Sequence, residues 1–111
     1  MGPNDIVTTA HNRLRNAGIS QLPVLDAGHL IGVLTEEDIM RFAFGHPNRL
    51  AAPVREAMQT AFISVPKDLA MNSLVSILQV APYAVVLDGE QFLGLITRAD
   101  VLNHLRREVP A

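Results

Sequence analysis

The stretch "GVLTEED", Gly32 to Asp38, returns as "GLITRAD", Gly94 to Asp100. Both copies read Gly, two aliphatic residues, Thr, two variable residues and Asp. In a chain of 111 residues this duplication is the strongest constraint on the fold, because a repeat dictates architecture before any single element does. The copies are wider than the motif. Val24-Leu25-Asp26 recurs as Val86-Leu87-Asp88, and every pair from there to the motif Asp is displaced by 62 residues. Upstream, "PNDIVTTAHNRLRNA" from Pro3 resembles "PKDLAMNSLVSILQV" from Pro66 at a displacement of 63, so one residue is missing from the second copy before Ala84. Two copies are too few for a solenoid, which leaves a pseudo-symmetric pair.

Each copy has the same periodicities. Ile6, Ala10, Leu14 and Ala17 recur every three or four residues and predict a helix over 5–17, stopped by Gly18. "LPVLD" and "LIGVLT" are short, apolar and β-branched, and the turn "AGH" between them predicts a hairpin. "EEDIMRFAF" then reads as a helix. In the second copy Leu69, Ser73, Leu74, Ile77 and Leu78 mark the first helix, "AVVLD" and "FLGLIT" the hairpin, and "RADVLNHLRRE" the last helix. Between the copies "GHPNRLAAP" has linker composition, "VREAM" suits one helical turn and "AFISVP" an extra strand. The expected division is a first repeat over 1–45, a linker over 46–53 and a second repeat over 54–111. The counterpart of the extra strand would precede Pro3, so a fragment of a longer protein is expected.

Composition removes several functions. About half of the residues, 49%, are hydrophobic, which suits a chain that buries a core. A net charge of −2 gives no reason to expect nucleic-acid or membrane binding. With no cysteine, thiolate metal sites and a Cys nucleophile are excluded. No apolar run is long enough to span a bilayer, and no signal peptide is visible, so the default expectation is a soluble cytoplasmic protein. His11, His29, His46 and His104 are scattered and none pairs at i,i+4, so no metal site is expected. The serines lie in no nucleophile-elbow pattern, and no catalytic residue is assigned.

Two chemistries fit the motif. Thr35 with Asp38, and Thr97 with Asp100, suit a helix cap in which Thr accepts from the first turn and the acid reaches back. The cap leaves the glycines unexplained: a Gly inside an apolar strand marks close approach by a ligand or another backbone. An Asp carboxylate also suits the vicinal diol of a ribose, and a helix N-terminus suits phosphate.

With "ISQLPVLD...LIGVLTEEDIM" and "AVVLD...LGLITRADVL", the chain resembles the CBS domain, and the pair resembles a Bateman module. Within that family it is most similar to the C-terminal regulatory region of pyridoxal-phosphate-dependent cystathionine β-synthase. The resemblance implies an α/β, more strictly α+β, fold of two pseudo-symmetric β-α-β-β-α repeats packed through their sheets, here without the first strand of repeat 1. It also implies a regulatory module with no cofactor of its own, an upstream catalytic domain and a homodimer. An adenosine compound (AMP, ATP or S-adenosylmethionine) would sit in clefts between the repeats. Carried over by position, one cleft would use Thr97 and Asp100 with Ile19, Gln21 and Leu22. The other would use Thr35 and Asp38 with Ala81, Tyr83 and Ala84. Arg98 follows Thr97, whereas Glu36 and Glu37 follow Thr35, so phosphate is expected at the Thr97/Asp100 motif first. The rival expectation is a dimerisation module with vestigial clefts.

Overall fold

In a computed structural model the structure describes residues 1–108. The fold is mixed α+β, in two compact units, Met1–Phe62 and Ile63–Ala111. In chain order the first unit holds α1 (Val7–Ala17), β1 (Gln21–Asp26), β2 (His29–Thr35) and α2 (Glu36–Ala43). The second holds β3 (Ser64–Pro66), α3 (Met71–Leu78), β4 (Tyr83–Asp88), β5 (Gln91–Thr97) and α4 (Arg98–Glu108).

The first unit is built as the periodicity requires. Val7, Ala10 and Leu14 form the buried stripe of α1. Gly18 ends the helix in the left-handed region, and the N–H groups of Gly18 and Ile19 donate to the Arg15 and Leu14 carbonyls. β1 and β2 pair antiparallel, and the turn Ala27-Gly28 has φ of 50° and 82°, the handedness that suits a two-residue hairpin. The helix stripe, Val24, Leu34 and Ile39 close one apolar core together with Val54.

The second unit repeats the hairpin with the same bulge: register shifts between Val86 and Leu87 as it does between Val24 and Leu25. Its core gathers Val65, Leu74, Leu78, Ala84 and Val101. Of two further features, the first differs from the sequence reading and the second agrees with it. First, α3 is the counterpart of α1 one residue further along than the letter-by-letter match places it. Both helices start at the aligned positions Val7 and Met71, and buried Ala10 and Leu14 correspond to buried Leu74 and Leu78. Burial phase fixes a helix more tightly than scattered identities do. Second, β3 runs parallel to β4 as a third strand, and unit 1 has no such strand among its described residues. Met1 does part of that work, since its carbonyl accepts the Leu25 N–H at 2.8 Å.

Candidate functional site

Each motif lies where a hairpin's second strand turns into a helix. In unit 1 Thr35 caps α2: its hydroxyl accepts the Asp38 N–H at 3.1 Å, and Asp38 Oδ2 accepts the Thr35 N–H at 2.9 Å. In unit 2 the same exchange is present. Asp100 Oδ2 accepts the Thr97 N–H at 2.8 Å and the Thr97 hydroxyl at 3.1 Å, and the Asp100 N–H approaches Thr97 Oγ1 at 3.4 Å. The capping role therefore holds in both copies, with Asp in the place where a longer acid is usual.

Beyond the cap the copies diverge. Asp38 is 5% exposed and Thr35 9%. Its second oxygen, Oδ1, accepts from Gln59 Nε2 at 3.0 Å, and the Arg41 guanidinium lies 3.8 Å away. Both carboxylate oxygens are thus engaged. Asp100 is exposed, Thr97 half-buried, and Asp100 Oδ1 has no partner among the described residues. The glycines diverge in the same sense. A Cβ on Gly32 would lie 2.5 Å from Met58 Sδ and 2.8 Å from the Gln59 carbonyl oxygen, whereas a Cβ on Gly94 would meet nothing within 4 Å. Gly32 is there for a backbone: Gln59 and Val33 exchange N–H···O bonds of 2.9 and 2.8 Å across it. The sequence reading missed Met58 and Gln59. Their only signal is Gly32 itself, which announces a close neighbour without saying which.

The charges around the motifs also differ. Glu36 and Glu37 are exposed at the start of α2, and Glu37 pairs with Arg41. Arg98 has no carboxylate partner among the described residues, but its Nε donates to the Leu78 carbonyl at the end of α3. It there lines an apolar groove of about 300 Å³ with Val75, Val101, Leu102 and Leu105.

The other named residues fall as follows. Gln21 is the cross-strand partner of Thr35, and Tyr83 of Thr97. Leu22 packs against the first core, while Ala81, Tyr83 and Ala84 are buried in unit 2, with Ala84 in its core. Ile19 is 42% exposed. Within each unit the structure therefore brings Gln21 to Thr35 and Tyr83 to Thr97. Among the described residues no three His, Asp or Glu side chains gather as a metal site, and no helix is long and apolar enough to cross a membrane.

The arrangement of a capped hairpin-helix corner, made twice, is matched over residues 2–45 and 54–107 by the sequence profile described as the CBS domain. The chain belongs to the CBS domain family. Among solved structures, this CBS pair is similar to OpuCA of Staphylococcus aureus, with 27% identity, a TM-score of 0.78 and coverage of 98% of this chain and 92% of that one. The CBS domain protein NE2398 superposes with a TM-score of 0.86 at 23% identity, covering 96% of this chain and 85% of that one. CBSX2, solved in complex with AMP, has a TM-score of 0.84 at 20% identity, covering 97% and 87%. Among curated relatives, the A-adding tRNA nucleotidyltransferase of Geobacter sulfurreducens is 26% identical over 101 residues. The protein MJ1404 of Methanocaldococcus jannaschii is 27% identical over 120 residues. The CBS pair accounts for 89% and 92% of this chain but spans only 11% and 28% of those two relatives.

Proposed function

We propose that this CBS pair is a non-catalytic regulatory module that binds an adenosyl ligand at the Thr97/Asp100 motif. The observation that carries the reading is the open carboxylate of Asp100, exposed and with one oxygen unused, at the start of α4. A ribose diol needs such an acceptor, and the α4 N-terminus favours the phosphate that follows. The Nη groups of Arg98 supply a second donor set. The Thr35/Asp38 motif is the poorer site: a diol there must displace Gln59, and Glu36 and Glu37 oppose phosphate. The relative CBSX2 with AMP supports this ligand class.

Ligand occupancy acts on an attached enzyme by favouring one of two packings, since a ligand shifts only an equilibrium whose states it distinguishes. The likeness of "ISQLPVLD" and "TRADVLNHLRRE" to cystathionine β-synthase makes that enzyme, and S-adenosylmethionine, the first pairing to try. A homodimer through the helices after each hairpin belongs to the same reading. Met40 and Phe44 of the α2 end are 65% and 85% exposed, and Leu102 of α4 is 59% exposed. Sedimentation at tens of micromolar protein is expected to show that dimer. The closed state of the first motif favours a second reading, a dimerisation module without ligand.

Thermal melting separates the two. A ligand at a hundredfold excess over its dissociation constant stabilises the fold by about 2.7 kcal/mol. AMP, ADP, ATP or S-adenosylmethionine is expected to raise the melting temperature; no shift with any of them at millimolar level leaves only the dimerisation module. Asp100→Ala is expected to weaken binding by about tenfold to more than a hundredfold, the loss of a hydrogen bond to a charged group. Calorimetric titration of the folded variant measures it, and unchanged affinity would return Asp100 to the role of cap alone.

A further inference from the structure

We propose that Arg98 ties α3 to the bound ligand: its Nη groups hold the phosphate while its Nε keeps the Leu78 carbonyl. The last turn of α3 then responds to phosphate and not to the adenosyl part alone. The inference rests on the adenosyl reading and names the element through which occupancy leaves the site.

The two repeats end their first helices by different means. In unit 1, residues 15–20 separate Leu14 from β1, and Gly18 in the left-handed region turns the chain so that the Ile19 N–H reaches the Leu14 carbonyl at 3.1 Å. In unit 2 only residues 79–82 separate Leu78, the counterpart of Leu14, from β4, and none of them is glycine. The residue that would close the next helical bond, onto Leu78, is Pro82, which has no N–H. The Gln79 N–H goes to Val75 at 3.0 Å, and those of Val80 and Ala81 go to Ile77 at 3.1 and 3.0 Å. Arg98 supplies from its side chain the donor that Ile19 supplies from the backbone, since its Nε donates to the Leu78 carbonyl. Leu78 is buried in the second core, where a carbonyl without a donor is costly.

The tie is peculiar to the second motif. Glu36 stands in the position of Arg98 in unit 1; its carboxylate carries no donor, and its backbone N–H goes to the Ser20 carbonyl at 3.2 Å. A guanidinium can serve two acceptors at once, because Nε and the Nη groups present donors along different edges of one rigid plane. Arg98 is exposed, so its bond to Leu78 is made at the cost of rotamer freedom. A phosphate on the Nη groups fixes the plane, and the bond to Leu78 then costs less. By linkage, whatever steadies the Arg98–Leu78 bond also tightens the hold on phosphate. Arg98 lines the apolar groove together with Val75 of α3 and Val101 of α4, so the tie sits where those two helices meet.

The test is hydrogen exchange by NMR at the Arg98 Nε–H and at the Gln79, Val80 and Ala81 amides, with AMP or adenosine, binding of each being followed by calorimetry. AMP is expected to keep the Arg98 Nε–H signal and to slow exchange of those amides about fivefold or more. Adenosine is expected to leave them as in the free protein. Arg98→Lys keeps the charge but replaces the planar fork with a compact ammonium. It is expected to weaken AMP binding about tenfold, and to abolish the slowing even when AMP is raised to saturation. Equal slowing by AMP and adenosine, slowing that survives in Arg98→Lys, or loss of the Nε–H signal with AMP would overturn the tie while the measured binding leaves the adenosyl reading standing. No binding of AMP would overturn the tie together with the place of phosphate at this motif.

Discussion

Asp38→Ala is expected to lower the stability of the fold by about 3 kcal/mol, from hydrogen bonds to a charged group worth about 1.5–3 kcal/mol and a cap worth about 1. The buried carboxylate satisfies the Thr35 N–H with one oxygen and the Gln59 carboxamide with the other, and both donors lose their partner together. Asp100→Ala removes the matching cap from an exposed helix start and is expected to cost about 1 kcal/mol or less. Chemical denaturation of the two variants against the parent measures the difference. Equal losses would mean that the burial of the first motif carries no energetic weight.

Gly32→Ala is expected to cost about 2–3 kcal/mol, because the new methyl meets the Gln59 carbonyl at a distance no contact tolerates and the backbone must move. Breaking the pairing would also uncover Val33 and Leu34, both fully buried. Gly94→Ala is expected to be neutral or to stabilise by up to about 1 kcal/mol, since Gly weakens a strand interior and the space beside it is open. Melting of the two alanine variants side by side checks this, and similar losses at both positions would remove the basis for treating the two edges as different.

Local chemistry made much of this legible in sequence. The hairpins, the stop at Gly18, α4 from Arg98 to Glu108 and the Thr/Asp caps follow from patterns a few residues long. The offset between the two first helices is not legible in identities such as Pro3 with Pro66, which lie outside the buried stripe that decides helix phase. The asymmetry between the motifs was visible as charge, through Glu36, Glu37 and Arg98. Its larger source was not visible: it is a contact between Gly32 and Met58-Gln59, far apart in sequence, and no periodicity encodes such a pairing. The back-bond from Arg98 to Leu78 was hidden for the same reason.

The segment from His46 to Pro53 has the composition of a tether, yet it is stitched to the helix it follows and to the one that opens the chain. The Ala52 carbonyl takes the first N–H of α1 from Val7 at 2.9 Å, and the Leu50 carbonyl takes the Thr8 hydroxyl at 2.8 Å. The Arg49 guanidinium lies 5.3 Å from the Phe42 ring and donates to the Phe42 carbonyl. α1 has no side-chain cap of its own, so these carbonyls stand in for one. A protease aimed at Arg49 must therefore melt the start of α1 before it can cut, and a few residues inserted there would fray that helix instead of lengthening a leash.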